Sequence, residues 1–365
     1  MRIVQLITHM NELGGAQVHV RDLSRQLITD GHEVTIMSGG EETTDSDLVV
    51  DGIAYVRTKF LRRNINLWKD VQAILEIRKK LKELSPDIVA IHSSKAGILG
   101  RIACWSLRLP FVFTAHGWAF AEGVETRKKM FYRLIEKQVG KLSRTVITVC
   151  EQDRLLAINN GVLPSEKLVT ITNGVHDNSI LSNRTKKDEV VIVMVARFEA
   201  PKKHLDVIKA LAQIKDLQWK MIFVGDGSLK QEVMLATVEN ELDNRVFFLG
   251  NCSDVSSVLK NSDLFVLTSS WEGLPLSILE AMMHSLPVIS SDVGGVKEAV
   301  SNNKNGFLIK DNLSDLLKRL IEDEELRLRM GKKSRNIYLE SFTFSIMYEK
   351  TCSVYHKVIN KKELL

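Results

Sequence analysis

The sequence predicts an α/β protein made of two successive domains of parallel βαβ units. Three observations carry this. Short runs rich in Val, Ile and Leu alternate with longer amphipathic segments along the chain. The alternation breaks at the polar, charged stretch Ser182–Asp188, which has no apolar period and reads as a linker within the seam Ser179–Asp188. The 365 residues suffice for two cores, at roughly 150 residues per domain.

In the first half, Arg2–Thr8 reads as a buried strand, Asn11–Gly15 as a Gly-containing loop and Ala16–Thr29 as a helix. Gly31 falls where a helix C-terminus wants a residue of positive φ, and Glu33–Ser38 is the next strand. The same order recurs. Strand Asp87–His92 precedes helix Ser93–Leu107, strand Phe111–Ala115 precedes a helix near Lys128–Leu142, and strand Thr145–Val149 precedes helix Glu151–Asn159. Beyond the linker, strands are expected at Val190–Val195, Met221–Val224, Val246–Leu249, Leu264–Thr268 and Pro287–Ser290, each followed by a helical pattern. The last helical stretch, Ser345–Ile359, follows the second set and could return to brace the first lobe. The expected domains are residues 1–180 with the returning helix at 345–365, and residues 188–344. In such sheets ligands sit at the carboxyl ends of the strands, so the loops there are where chemistry belongs.

Composition narrows the classes. Hydrophobic residues make up 44% and charged residues 26%, which excludes wholesale disorder. A net charge of +5 is mildly basic and does not point to nucleic acid. Cys104, Cys150, Cys252 and Cys352 show neither a disulfide framework nor zinc-ligand spacing. No apolar run approaches about 18 residues, and MRIVQLITH lacks the pattern of a signal peptide, so a cytoplasmic protein is expected. Attachment to the inner face of the cell membrane stays open. Phosphate-loop and serine-elbow motifs are absent, and Asp45-Ser46-Asp47 sits in an acidic stretch that reads as solvated.

Four segments could carry chemistry. In Thr268–Glu280 a strand ends, a polar loop carries Glu272 and Gly273, Pro275 marks a helix start, and Glu280 is expected nearly two turns in. Helix N–H groups there attract an anion and the carboxylates can hold sugar hydroxyls, although the spacing alone favours Glu280 as solvated helix surface. In Val195–Leu205, Arg197 follows a strand and Lys202 and Lys203 precede a helix, a placement that suits a diphosphate clamp or a charged turn. In Met10–Gln17 the pair Gly14-Gly15 lets backbone approach a phosphate, or simply makes a turn. In Phe113–Trp118, His116 can exchange a proton or hold a hydroxyl, or be a satisfied structural histidine. Asn173-Gly174-Val175 closes a strand at the seam.

Taken together and in order, these segments resemble the family 4 glycosyltransferases, retaining sugar transferases of GT-B architecture with two Rossmann-like domains facing across a cleft. The resemblance rests on the Gly-Gly loop after strand one, His116-Gly117, Asn173-Gly174-Val175, Arg197 with Lys203, Val224-Gly225-Asp226-Gly227, the Glu272–Glu280 spacing and Val293-Gly294-Gly295-Val296-Lys297-Glu298. It is strongest over Val190–Gly306. Ala196 and His204 stand where the family often has Gly, and His204 could shift the phosphate loop slightly.

The resemblance implies roles. Arg197 and Lys203 would grip the donor diphosphate, with Lys202 able to share the task. Glu280 would hold the ribose. Glu272 and the amides of Gly273 and Leu274 would meet the donor sugar, next to Pro275, which has no N–H. Gly15, beside Gly14, would approach the phosphate, and His116 would bond a sugar hydroxyl. The loop after Leu249, at Gly250, would face the base, and Asn173 would line the donor site. The implied reaction moves a sugar from a nucleoside diphosphate sugar, with UDP the favoured carrier, to an acceptor hydroxyl in surface polysaccharide or glycoconjugate synthesis, on a sugar or lipid-linked acceptor. No cofactor and no metal are expected. A non-catalytic nucleotide-sugar-binding subunit and a nucleotide-sugar epimerase share the fold and remain alternatives. Basic clusters interleaved with Phe60, Leu61, Leu67 and Trp68 suit an anionic membrane surface or ordinary solvated helix faces.

Overall fold

The computed structural model describes residues 1–11, 14–40, 52–121, 126–178, 189–310 and 312–360. Two sheets organise it, both wholly parallel. The first contains β1 (Arg2–His9), β2 (Glu33–Gly39), β3 (Ala54–Arg57), β4 (Ile88–His92), β5 (Phe111–Ala115), β6 (Val146–Thr148) and β7 (Leu168–Thr170), in the order β3-β2-β1-β4-β5-β6-β7. The second contains β8 (Val190–Val195), β9 (Trp219–Val224), β10 (Val246–Phe248), β11 (Leu264–Leu267), β12 (Val288–Ser291) and β13 (Gly306–Ile309), in the order β10-β9-β8-β11-β12-β13. Each sheet reverses its winding beside its first strand, between β1 and β4 and between β8 and β11. Loops diverge at such a point and leave room for a ligand.

Helices cover both sheets, which is why the central strands are nearly continuous apolar runs. β4 and β5 are buried at every residue. One exception stands out in β1, RIVQLITH, where Gln5 is 0% exposed among Ile3, Val4, Leu6 and Ile7.

The chain divides into two compact units, Met1–Thr172 with Met347–Leu365, and Asn173–Ile346. The division falls at Thr172/Asn173 rather than at 180. Residues after it are tied into the second unit: Val175 N donates to Phe342 O at 3.1 Å, Phe344 N to Val175 O at 2.8 Å, and the buried Tyr338 hydroxyl to Val175 O at 2.9 Å. The expected linker Ser182–Asp188 and the Asp45-Ser46-Asp47 stretch lie outside the described residues.

Most expected elements are present with small shifts. Gly31 has φ +79° beyond the helix Gly15–Thr29. The helix expected near Lys128–Leu142 is Thr126–Gly140, and the last helix is Phe344–Asn360. The helix carrying Glu280 begins at Leu276, so Glu280 sits just over one turn in rather than nearly two. None of the four cysteines forms a disulfide, and Cys104 and Cys150 are buried. Among the described residues no helix is long and apolar enough to cross a membrane.

Candidate functional site

In the second unit the loops after β8 and β11 lie side by side at the switch point. After β8 the chain is pinned to the loop after β9: Ala196 N donates to Val224 O at 3.0 Å, Phe198 N to Asp226 O at 2.9 Å, and Leu229 N to Phe198 O at 2.8 Å. This explains Gly225 and Gly227, whose φ values are +132° and +148°. A Cβ at Gly225 would stand 2.2 Å from Ala196 O, and one at Gly227 would stand 2.6 Å from Phe198 O. These glycines let protein backbone approach protein backbone. Gly250, with φ +68°, accepts from Gly225 N at 2.7 Å and so belongs to the same braced cluster.

Arg197 stands on this platform with its side chain 44% exposed, and its only tie among the described residues is to Glu199 at 3.3 Å. Two residues on, the chain turns toward β11. Lys202 bridges Ser269, Lys203 N donates to Thr268 O at 2.9 Å, Thr268 Oγ1 donates to Lys203 O at 2.6 Å, and Ser270 N donates to Pro201 O at 2.9 Å. The two lysines therefore diverge. The Lys202 ammonium contacts the Glu272 carboxylate, whereas Lys203 is exposed at the N-terminus of the helix His204–Ala212. His204 turns inward. It stacks on Phe198 at 4.0 Å, and burial lowers its pKa to about 4, so the ring adds no charge to the loop at neutral pH.

Glu272 is held from three directions. Ser269 Oγ donates to its Oε1 at 2.5 Å and Lys202 meets the same oxygen. Behind it, Gly294 has φ +52°, and a Cβ there would lie 1.8 Å from Glu272 O, while Gly295 N donates to Gly273 O at 2.9 Å. The Gly294-Gly295 pair thus backs the Glu272–Gly273 turn. Asn173, also buried, donates through Nδ2 to Leu274 O at 2.8 Å. Pro275 precedes the helix Leu276–Met283, on which Glu280 is half-buried. The structure gathers Asn173, Lys202, Glu272, Gly273, Leu274 and Pro275 around one turn, with Arg197 and Lys203 as exposed cations on the adjoining loop.

The first unit repeats the plan at its own switch point. Thr8 Oγ1 and Ser93 Oγ lie 2.6 Å apart, joining the ends of β1 and β4. Gly14 is the extended residue preceding the helix Gly15–Thr29, and Gly15 is already that helix's first residue rather than part of the loop. His116, one residue past β5, is half-buried, and its Nε2 lies 3.0 Å from His92 Nδ1. His92 Nε2 lies 2.8 Å from Gln5 Oε1. His19, from the first helix, packs edge-on to His116 at 4.8 Å. Burial lowers all three imidazoles: His19 to about 4, His92 and His116 well below the ordinary value, so they are neutral at pH 7. Among the described residues this is the one group able to share a metal ion, with ligand nitrogens within 4.8 Å of one another. Of the three histidines, only His116 stands in a motif legible from the sequence. Gln5 was the overlooked signal, a polar side chain inside a central apolar strand.

The two parallel sheets and their strand orders define a GT-B fold. Sucrose-phosphate synthase from Thermosynechococcus elongatus superposes with a TM-score of 0.84 at 20% identity, covering 99% of this chain and 100% of that one. Anabaena HepE in complex with UDP and glucose gives 0.82 at 21% identity, covering 98% and 100%. The family model described as Glycosyltransferase Family 4 matches residues 13–179, and that described as Glycosyl transferases group 1 matches residues 176–337. The UDP-Gal:alpha-D-GlcNAc-diphosphoundecaprenol alpha-1,3-galactosyltransferase of Escherichia coli is 32% identical over 338 residues, 87% of each chain. The N,N'-diacetylbacillosaminyl-diphospho-undecaprenol alpha-1,3-N-acetylgalactosaminyltransferase of Campylobacter jejuni is 26% identical over 383 residues, covering 97% of this chain and 99% of that one.

The chain belongs to the family 4 glycosyltransferases. It is a glycosyltransferase of the kind that serves bacterial polysaccharide and glycoconjugate synthesis.

Proposed function

We propose that this enzyme transfers a hexosyl or N-acetylhexosaminyl group from a UDP-sugar to a hydroxyl of a glycan carried on a polyprenyl diphosphate, with retention of anomeric configuration and without a metal. The observation that carries the reading is the turn at Glu272, where a carboxylate, an ammonium and braced backbone share the switch point of the second sheet. Support for the carrier comes from HepE, crystallised with UDP and glucose, and support for the acceptor from the diphosphoundecaprenol-linked acceptors named for the two bacterial relatives.

In this reading Arg197 and Lys203 hold the diphosphate, and Lys202 shares the load once sugar hydroxyls engage Glu272. Glu280 takes the ribose hydroxyls, Gly250 lies toward the base, and the amides of Gly273 and Leu274 meet the sugar. His116 bonds a sugar hydroxyl, and Gly14-Gly15 admits a phosphate. As the anomeric C–O bond breaks, positive charge builds on the sugar and negative charge on the leaving phosphate oxygen. Fixed cations and helix N–H groups stabilise the latter. The acceptor oxygen forms the new bond on the face the phosphate leaves, and its proton passes to the departing phosphate oxygen.

The acceptor's lipid suggests a membrane-facing surface on the first unit. The helix Leu67–Leu84 buries Ala73, Ile77 and Leu81 but presents Leu67 and Trp68 at 80% and 85% exposure, followed by Val71, Leu75, Lys79 and Lys82. Met130, Phe131 and Leu134, with Arg127, Lys128 and Arg133, repeat the mixture on Thr126–Gly140. Apolar side chains entering the headgroup region while cations meet lipid phosphate would hold the enzyme at an anionic bilayer.

The test is a panel of UDP, GDP and ADP sugars, incubated with polyprenyl-diphosphate-linked acceptors and with buffer carrying EDTA. Acceptor-dependent UDP release with an α-linked product from an α-linked donor is expected. An inverted product, or turnover that EDTA abolishes, overturns the mechanism. Co-sedimentation with vesicles rich in phosphatidylglycerol tests the surface, and binding equal to that of neutral vesicles removes it.

A further inference from the structure

The buried chain Gln5–His92–His116 has a direction. An amide oxygen only accepts, so His92 Nε2, 2.8 Å from Gln5 Oε1, carries the proton. His92 is neutral, so its Nδ1 is then a lone pair. The atom 3.0 Å from that lone pair, His116 Nε2, must therefore be the donor. His116 is left with a lone pair on Nδ1, the nitrogen without a hydrogen-bond partner among the described residues, on a ring that keeps partial exposure.

Three adjacent strands make this geometry. Gln5 lies in the middle of β1, with Ala90 of β4 as its register partner. His92 ends β4 opposite Thr114, and His116 follows β5. Gln5 and His92 are both 0% exposed. A glutamine amide in a dry core costs free energy unless it is hydrogen-bonded, and here its oxygen is spent on one imidazole. The other end of the amide, Gln5 Nε2, and the Tyr355 hydroxyl are buried as well, and neither has a hydrogen-bond partner among the described residues. His19, edge-on to His116, limits rotation of that ring.

We propose that Gln5 and His92 are positioning residues that hold His116 as the Nε2–H tautomer and thereby present its Nδ1 as an acceptor to a hydroxyl of the donor sugar. The role of His116 at the sugar rests on the proposed function above; the tautomer does not. The neutral imidazole accepts the hydroxyl's hydrogen bond, and no proton is transferred. With the other tautomer, Nδ1–H would face that hydroxyl as a donor, and the hydroxyl would have to turn its own proton away. The network thus selects substrates with a hydroxyl donor at that position, as an oriented acceptor rejects analogues lacking the group.

The experiment is long-range 15N–1H correlation of the full-length, 15N-histidine-labelled enzyme, with His116 assigned by His116→Gln. The wild-type enzyme is expected to show a protonated Nε2 and an unprotonated Nδ1 on His116. UDP-sugar, but not UDP, should move the Nδ1 resonance toward its hydrogen-bonded position. Gln5→Leu and His92→Phe should mix the tautomers and lower kcat about 10-fold to 100-fold, with KM for the donor changed less than about threefold. His92→Gln should restore both, because its amide oxygen accepts from His116 and its NH2 donates to Gln5. A protonated Nδ1 on wild-type His116 overturns the proposal without any variant having to fold. So does full kcat in folded Gln5→Leu, or one tightly bound Zn2+ that His19→Ala abolishes, since the metal would occupy a His92 or His116 lone pair that the network or the sugar hydroxyl needs. Failure of the wild-type enzyme to transfer sugar counts against the proposed function, while the tautomer measurement is read independently.

Discussion

Lys202 and Glu272 contact each other across the switch point of the second sheet, and Ser269 Oγ donates to the same carboxylate oxygen. Both side chains are largely shielded, at 17% and 12% exposure, so the pair holds its geometry better than an ion pair in open water. It also means that neither charge is idle before substrate arrives. In the proposed reading a diphosphate would compete for the ammonium, and a sugar hydroxyl for the carboxylate. The complete donor would then satisfy both at once, whereas UDP alone would strand Glu272.

Glu272→Gln separates these effects. The amide no longer holds Lys202, so the affinity for UDP is expected to rise a few-fold. Transfer is expected to fall about 100-fold, because the charged contact to the sugar is lost in the transition state. Calorimetry with UDP and initial rates with the UDP-sugar give the two numbers. Parallel losses in both would show that Glu272 serves only to orient Lys202.

Arg197 makes a cleaner case because its only tie among the described residues, to Glu199, is exposed and worth little to the fold. Arg197→Ala should lower kcat about 100-fold, equivalent to about 3 kcal/mol of transition-state stabilisation, with the denaturation midpoint unchanged. Unchanged turnover would remove Arg197 from the diphosphate grip.

The sequence reached the level of whole βα units and the loops after them, because β8 and β11 are apolar runs bounded by charged or polar turns. It did not reach β3, β7 or β13, which stand at sheet edges and are only partly buried, so they lack the continuous apolar run that marks a central strand. The helix Leu67–Leu84 escaped for another reason. Leu67, Trp68, Val71 and Leu75 lie outward while Ala73, Ile77 and Leu81 lie inward, so apolar residues on both faces blur the helical repeat. At the site, residue types chosen for charge were legible, and their partnerships were not. Nothing in the spacing says that Lys202 rather than Lys203 faces Glu272, since a strand-like bridge to Ser269 decides which side each lysine takes. Gly225 and Gly227 were legible only as part of the family-like run Val224–Gly227, and their physical reason is backbone contact with Ala196 and Phe198.

Asn173 illustrates a residue that reaches the site through one backbone atom. Its Nδ2 supports the carbonyl of Leu274, whose N–H is proposed to meet the sugar. Asn173→Ala leaves that carbonyl without its side-chain donor and should cost about 1–3 kcal/mol in urea denaturation. KM for the UDP-sugar should rise as well, because the turn loses a fixed point. A loss of stability with KM unchanged would confine Asn173 to the fold.

Acid should destabilise this protein through histidines that are buried neutral. His19 and His204 have folded pKa values of about 4 against 6.5 when exposed. Between these values the unfolded chain binds protons that the native state refuses, so stability rises with pH there. The contribution is complete above about pH 6.5 and is lost progressively as pH falls toward 4. Each such histidine contributes a slope of about 1.4 kcal/mol per pH unit in the steepest part. His204→Phe keeps a ring to stack on Phe198 and removes one titrating group. Urea midpoints from pH 7 down to about pH 5 should therefore fall less steeply in the variant, by about one proton's worth. Equal slopes in variant and wild type would show that His204 takes up its proton in the folded state, and that its place against Phe198 is not dry.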